Sequence, residues 1–254
     1  MVYIEKTIRS GFWCGNTQRM EEIVFEKRRR RMGNRRKSFI VTGAVLCVSL
    51  AALCGCQSAG KMVESVIQHA VKEETESESH EFDSFNGIDA SMAVGSVNLI
   101  QGDSYSIDIS RTENCKIISK VKDKTLKIRQ EMQDDKAGSA TLTIKIPGDA
   151  SLKSVDVDLD VGNFSANGLS IKKLVVNQAT GDCEITGCEA DKINVEGDVS
   201  NVAISDSSED ATYSLSTDVG SIEVDGKEKD TPYKKDGGKK SITVDVSVGD
   251  ITVE

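Results

Sequence analysis

The chain has 254 residues, of which 38% are apolar, 4% aromatic and only two are proline, and its formal net charge is −9. That balance suits a β-rich globular chain of one or two domains better than a disordered one. Residues 1–55 hold 11 Lys/Arg and 4 Asp/Glu, leaving 32 − 11 = 21 basic and 41 − 4 = 37 acidic residues, a net of −16 that argues against nucleic-acid partners and against attraction to anionic lipid headgroups.

In chain order, residues 1–31 fit no targeting pattern, whereas Met32-Gly-Asn-Arg-Arg-Lys37 is an ordinary start for a signal. The run Arg28 to Arg31 suits purine-rich codons of the kind that precede a start site, so translation is expected to begin at Met32. The alternative is a cytosolic basic tail. Arg35, Arg36 and Lys37 then form a basic flank, and Phe39 to Leu53 an uncharged apolar run too short for a comfortable bilayer span. The basic flank places the body of the chain outside the cytoplasm.

The run ends in Leu53-Cys54-Gly55-Cys56, which resembles the lipobox of bacterial lipoproteins. The resemblance implies a signal over residues 32–56, cleavage before Cys56, and lipidation of Cys56 as the membrane anchor. Two or more acyl chains are what stable anchoring requires. Residues 57–81 read as a tether: Val63, Val66, Ile67, Ala70 and Val71 have helical spacing, and Glu73 to Glu81 is an acidic linker with little to bury. The two histidines, His69 and His80, both fall there and read as solvated surface groups.

Residues 82–254 carry a repeat. Apolar residues alternate, a glycine interrupts, and the alternation resumes one residue out of phase. Val155, Val157, Leu159 and Val161 precede Gly162, and Phe164 and Ala166 follow it; Ile242 to Val248, Gly249, then Ile251 and Val253 repeat the pattern. Alternation means strands with one buried face, and the slip means a corner. Corners fall at Gly95, Gly162, Gly181, Ser200, Gly220 and Gly249, the later steps being 19, 19, 20 and 29. A second corner comes at Gly168, Gly187, Asp206 and Gly226, then a short apolar pair (Leu169/Ile171, Cys188/Ala190) and a charged bend (Lys172-Lys173, Asp191-Lys192).

Three short sides in 19–20 residues is one coil of an all-β solenoid, a parallel β-helix, with right-handed crossovers expected. Coils stacked in sequence order place Phe164, Cys183, Val202, Ile222 and Ile251 in one inward column. An antiparallel β-sandwich is the alternative. Two segments break the period: residues 101–150, with strands at Tyr105–Ser110, Lys116–Gln130 and Thr141–Ile146, expected to close one end, and 226–240, expected as an exposed basic loop.

Phe82-Asp-Ser-Phe-Asn-Gly-Ile88, Ala93-Val-Gly-Ser-Val97, Asp160-Val-Gly-Asn-Phe164, Asp218-Val-Gly-Ser-Ile222 and Ser247-Val-Gly-Asp-Ile251 carry a resemblance. As a set they resemble the bacterial family of candidate adhesins, a domain of unknown function built of Val-Gly-Asp-type β-strand repeats. It implies an envelope-associated, often lipid-anchored solenoid without known catalytic residues.

The chemistry weighed against this is thin. Outward Asp156-Asp158-Asp160, Asp198, Asp218 and Asp245 offer oxygen ligands, but the calcium-binding nonapeptide with paired glycines is absent and a solvated face is the expectation. Beyond the signal there are two arginines, Arg111 and Arg129, and no tryptophan, a poor inventory for cleaving acidic glycans. Cys183 and Cys188 fall on inward positions and are expected as free buried thiols beside Cys115. The sequence therefore points to a non-catalytic envelope lipoprotein, a scaffold, adhesin or sensor. No cofactor, metal or catalytic residue is expected, and its partners are the membrane, through the anchor, and an envelope or surface component. A carbohydrate-active enzyme of β-helix fold is the rival.

Overall fold

The computed structural model describes residues 75–132, 138–206 and 211–254, all within a compact unit spanning Val71–Glu254. Residues 1–74, with the expected signal, Cys56 and the helical part of the tether, lie outside the described residues. Within them the chain forms β1 (Thr75–Phe82), β2 (Gly87–Gly102), β3 (Tyr105–Thr112), β4 (Cys115–Lys122), β5 (Thr125–Met132) and β6 (Ala140–Pro147). Next come β7 (Ser151–Leu152), β8 (Ser154–Val161), β9 (Phe164–Asn167), β10 (Ser170–Thr186) and β11 (Glu189–Ser205). β12 (Ala211–Val219), β13 (Ile222–Val224), β14 (Lys227–Lys229), β15 (Tyr233–Lys235), β16 (Lys240–Val248) and β17 (Ile251–Val253) complete it.

The fold is an all-β solenoid. β10 lies parallel to β8 and β9 on one side and to β11 on the other, with partners 19 residues apart, such as Phe164 with Cys183 and Cys183 with Val202. This in-register parallel stacking replaces the alternative of an antiparallel sandwich. Each coil has a long first side (Val155 to Val161), a short second side (Phe164 to Asn167) and a third side of a residue pair (Ser151–Leu152, Ser170–Ile171, Glu189–Ala190). Short of the corner, the inward apolar residues of the first two sides stack into columns with almost no exposure, Val155, Leu174 and Ile193 among them. Each such side chain contributes about 1.5–3 kcal/mol on leaving water.

The corners have a steric origin. Gly162 has φ +145°, and a Cβ built on it would stand 1.5 Å from the carbonyl oxygen of Gly95 in the next rung. Stacked corners at this separation leave no room for a side chain. Ser200 occupies the same column opposite Gly181 but is built differently. Its side chain is buried, and its Cβ occupies the space where Gly197 lacks one, 2.8 Å from the position a Cβ there would take. The second corner turns through positive φ at Gly168, Gly187, Asp206 and the pair Asp225–Gly226.

Spatial order departs from chain order at both ends. Along the first side the rungs run β5, β2, β8, β10, β11, β16, β12. The inward column therefore reads Leu142, Val97, Phe164, Cys183, Val202, Ile251, Ile222, not the expected order with Ile222 on Val202. The final coil slides between the two that precede it, and the first is covered by the second. Every coil offers the same inward apolar set, so the loops decide: a step of 29 from Gly220 to Gly249 supplies the chain needed to return.

Antiparallel strands close the two ends, which blunts the edges against further pairing. At one end β3 covers β6, β4 covers β5, and β1 covers β3. The segment expected as one strand, Lys116–Gln130, is a hairpin turning at Asp123 and Lys124, both with positive φ as a primed turn requires. Thr75–Glu81, expected as linker, is strand: β3 presents an open ladder edge, and Arg111 of β3 bridges Glu76 and Glu78. Phe85 is buried there, edge-on to Phe82 and Tyr105 at 6.1 and 4.9 Å between centroids. At the other end the basic segment expected as an exposed loop forms β14 and β15, which pair with β13 and β12.

Candidate functional site

The first corner carries the most regular surface. Val161, Val199, Val219 and Val248 close the apolar alternation, and by parity they belong with the inward residues. The structure exposes them by 37%, 52%, 63% and 42%. The chain turns its corner at the next residue while the ladder pairing runs on through it, and the side chain just before the turn lies open to solvent. Ladder pairing aligns Val94, Val161, Thr180, Val199, Val248 and Val219 in one column. The result is a ridge of mostly branched apolar side chains.

Just past the corner residues runs a polar ladder of Asn163, Asp182, Asn201, Asp250 and Ser221. The Asp182 amide donates to Asn163 Oδ1 at 3.0 Å, Asn201 Nδ2 to Asp182 Oδ1 at 3.0 Å, and the Asp250 amide to Asn201 Oδ1 at 3.2 Å. The Ser221 amide and hydroxyl both donate to Asp250 Oδ1, at 2.8 and 2.9 Å. Those two bonds hold the Asp250 carboxyl below the usual carboxylate range. The small polar residues after each corner thus staple one coil to the next as well as facing solvent.

Behind the corner, interior polar groups satisfy the bent backbone. The Gln178 amide donates to the carbonyl of Gly162, and Thr217 Oγ1 to that of Gly249 at 2.9 Å. Gln130 accepts from the amides of Ala93 and Val94 at 2.7 and 3.0 Å. Both Gln178 and Thr217 interrupt an otherwise apolar alternation, the one signal by which sequence reasoning could have found them.

The end capped by β14 and β15 holds an open depression lined by Glu228, Lys229, Asp230, Pro232, Tyr233 and Lys234. Lysine, carboxylate and aromatic groups meet here, as a glycan site would need. The aromatic rings at this end are engaged, however. Lys229 Nζ stands 5.6 Å from the Tyr233 centroid, and Lys235 Nζ 5.0 Å from that of Tyr213, which is itself buried. Thr231 clasps the cap to the body, its hydroxyl donating to the Thr217 carbonyl at 2.8 Å and accepting from the Thr217 amide at 3.2 Å.

The remaining expected residues are dispersed. Asp158 accepts from Asn177 Nδ2 at 2.8 Å, so part of the outward acidic row is bridged across coils. Among the described residues no group of three His, Cys, Asp or Glu is placed to hold a metal ion. His80 lies on β1, 3.6 Å from Glu78; His69 and Cys56 are outside the described residues. Cys115, Cys183 and Cys188 are buried free thiols. Burial pushes the Cys183 thiol up to about 12, and raises that of Cys188 as well.

Several solved structures are similar. A candidate cell adhesion protein from Clostridium sporogenes is 18% identical, covers 71% of this chain and 99% of its own, and superposes with a TM-score of 0.58. Candidate adhesins from Bacteroides fragilis and Parabacteroides merdae are each 15% identical over 72% of this chain and 98% and 97% of theirs, with TM-scores of 0.38 and 0.31. At these identities the first likeness speaks for the fold alone. No protein of curated description matches the chain. Residues 86–254 match the toastrack family, DUF4097, and the chain belongs to that family.

Proposed function

We propose that this chain is a non-catalytic envelope lipoprotein that presents a rigid, periodic surface for adhesion or envelope sensing. In this reading Cys56 carries the lipid anchor on the extracytoplasmic face, residues between it and β1 form a tether, and the solenoid displays its first corner. The observation that supports it best is the alignment of exposed valines with the Asn/Asp/Ser ladder across successive coils. Side chains repeated once per rung suit contact with an extended partner along a line, where an enzyme would gather unlike groups around one point.

The test is retention of protein-coated beads on envelope preparations, wild type against a Val161→Ser/Val199→Ser/Val248→Ser variant. Retention should fall several-fold in the variant while thermal unfolding stays within a few degrees. Equal retention would remove the first corner from the account.

A further inference from the structure

The charged bend between the third and first sides stacks into a ridge that the overall charge conceals. The Lys153 amide bonds the carbonyl of Asn86, whose own amide bonds the carbonyl of Lys124, which places these three residues on neighbouring rungs. Leu152 pairs with Ile171 and Val155 with Leu174, so Lys172 and Lys173 lie beside Lys153 and Ser154. Lys173 pairs with Lys192, and Lys192 with Ser241, which follows Lys240. One edge of the solenoid thus carries Lys124, Lys153, Lys172, Lys173, Lys192 and Lys240 over six rungs. At a rung spacing of about 4.8 Å, five steps make the ridge about 24 Å long.

These lysines differ from the five cations that are ion-paired on β3 to β6. Lys116, Lys127, Lys145, Arg111 and Arg129 all meet carboxylates, whereas among the described residues none of the six ridge lysines does. Asp123 and Asp191 are the acidic residues interleaved with them. The exposed carboxylates of the first side begin three residues on, Asp156 after Lys153, about 10 Å at roughly 3.3 Å per residue, and those of the first corner lie farther off, Lys192 and Asp198 being six residues apart on one extended strand, about 20 Å. That exceeds the screening length of about 8 Å at physiological ionic strength, so a surface touching the ridge meets cations while the acidic corner is screened.

The shape selects the partner. No ridge lysine lines the depressions at the cap or beside β1, β3 and β4. Among the ridge residues are no arginine fork and no aromatic platform, the features that grip individual phosphates or bases on a polymer. Lysine ammonium groups in a straight row suit a flat, diffuse layer of negative charge. We propose that the lysine ridge rests on an anionic bilayer surface. The solenoid then lies along the membrane, with its valine corner held about 20 Å above it. This rests on the anchor reading, because a lipid at Cys56 holds the ridge near the surface. The 19 residues from Cys56 to Thr75 reach about 65 Å when extended, ample for a solenoid lying down.

The experiment uses the full chain with vesicles of phosphatidylcholine alone or containing one-third phosphatidylglycerol. Lysine acylation by a water-soluble amine reagent is followed by peptide mapping, and flotation is scored separately. Lys153, Lys172, Lys173 and Lys192 should label several-fold more slowly on the anionic vesicles, with the difference lost at about 0.5 M salt. Lys227 and Lys234 on the cap should label alike on both. A quadruple Lys→Glu variant at the four ridge positions, which are exposed, should keep its thermal unfolding and lose the slower labelling of the remaining ridge lysines, Lys124 and Lys240, on anionic vesicles. Protein that floats with both vesicles but labels alike on both overturns the ridge and spares the anchor. Flotation with anionic vesicles alone supports the ridge and removes the anchor; flotation with neither contradicts both. Protection by short polyphosphate chains on neutral vesicles, without protection on anionic ones, overturns the bilayer in favour of a linear polyanion.

Discussion

Val202 pairs with Ile251 and not with Ile222, although Ile222 is the nearer in sequence. The last coil is therefore an internal rung. A cysteine pair reports this directly. Adjacent rungs place Cα atoms about 4.8 Å apart, inside the disulfide range of about 4.4–6.8 Å, and rungs two apart about 9.6 Å. Asn201→Cys with Asp250→Cys should oxidise to a bridge in non-reducing electrophoresis, and Asn201→Cys with Ser221→Cys should not.

Deletion carries the same logic into stability. A simple solenoid loses one terminal coil when its last repeat is removed. Here, removing residues 240–254 takes away the rung on which β12 and β13 are laid. Hydrogen exchange should show Tyr213, Leu215 and Ile222 losing protection with the deleted rung, while Val155 to Ala166 keep theirs.

Gly162→Ala and Gly226→Ala separate two roles of glycine. At Gly162 a Cβ meets a carbonyl oxygen of the next rung as well as an unfavourable φ, so a cost of about 3 kcal/mol or more is expected. At Gly226 a Cβ meets nothing within 4 Å, and only the φ of +67° opposes it, for about 1 kcal/mol. Chemical denaturation of the two variants measures the difference.

Acid should weaken the fold through a few carboxylates. Partial burial raises the Asp89 carboxyl, but hydrogen bonds and charge from Arg129 and Lys127 outweigh it and leave the pKa low. Asp108 is lowered mainly by its hydrogen bond from Lys145 and then by that from Ser79, and Asp250 by Ser221. Each is depressed on folding, so its contribution is complete above the unfolded value of about 3.9 and is lost as pH falls through the folded one. The unfolding midpoint should be flat from neutrality to about pH 5 and fall below about pH 4, less steeply in Asp89→Asn.

The three buried cysteines of the solenoid, Cys115, Cys183 and Cys188, give a chemical prediction. Cys183 should resist a thiol reagent in the native state at neutral pH, and Cys115 and Cys188 should react slowly because they are buried. All three should be alkylated in denaturant without prior reduction. Peptide mapping that finds Cys183 joined to Cys188 would contradict the structure.

Much of the repeat was legible because period and phase are local. The glycine corners, the residue pairs Leu169/Ile171 and Cys188/Ala190, and the inward set of each coil follow from alternation and its slip. Which coil lies on which is a non-local choice among nearly equivalent partners, and chain order was the wrong default at Ile222. Alternation also misplaced Val161, because a parity count cannot see that the side chain just before a corner lies open to solvent. The acidic stretch Glu76 to Glu81 lacked apolar surface of its own, and its order comes from the β3 edge and Arg111. Lys172, Lys173 and Lys192 were visible as a charged bend, but only stacking converts them into a ridge.

The lipid proposed at Cys56 is what would hold the solenoid at the membrane. Cells producing the full chain should be labelled with palmitate, wild type beside Cys56→Ala, and membranes separated from soluble material. Label should appear on the wild type in the membrane fraction and be lost in the variant. An unlabelled wild-type protein, or label that survives the substitution, would contradict the anchor.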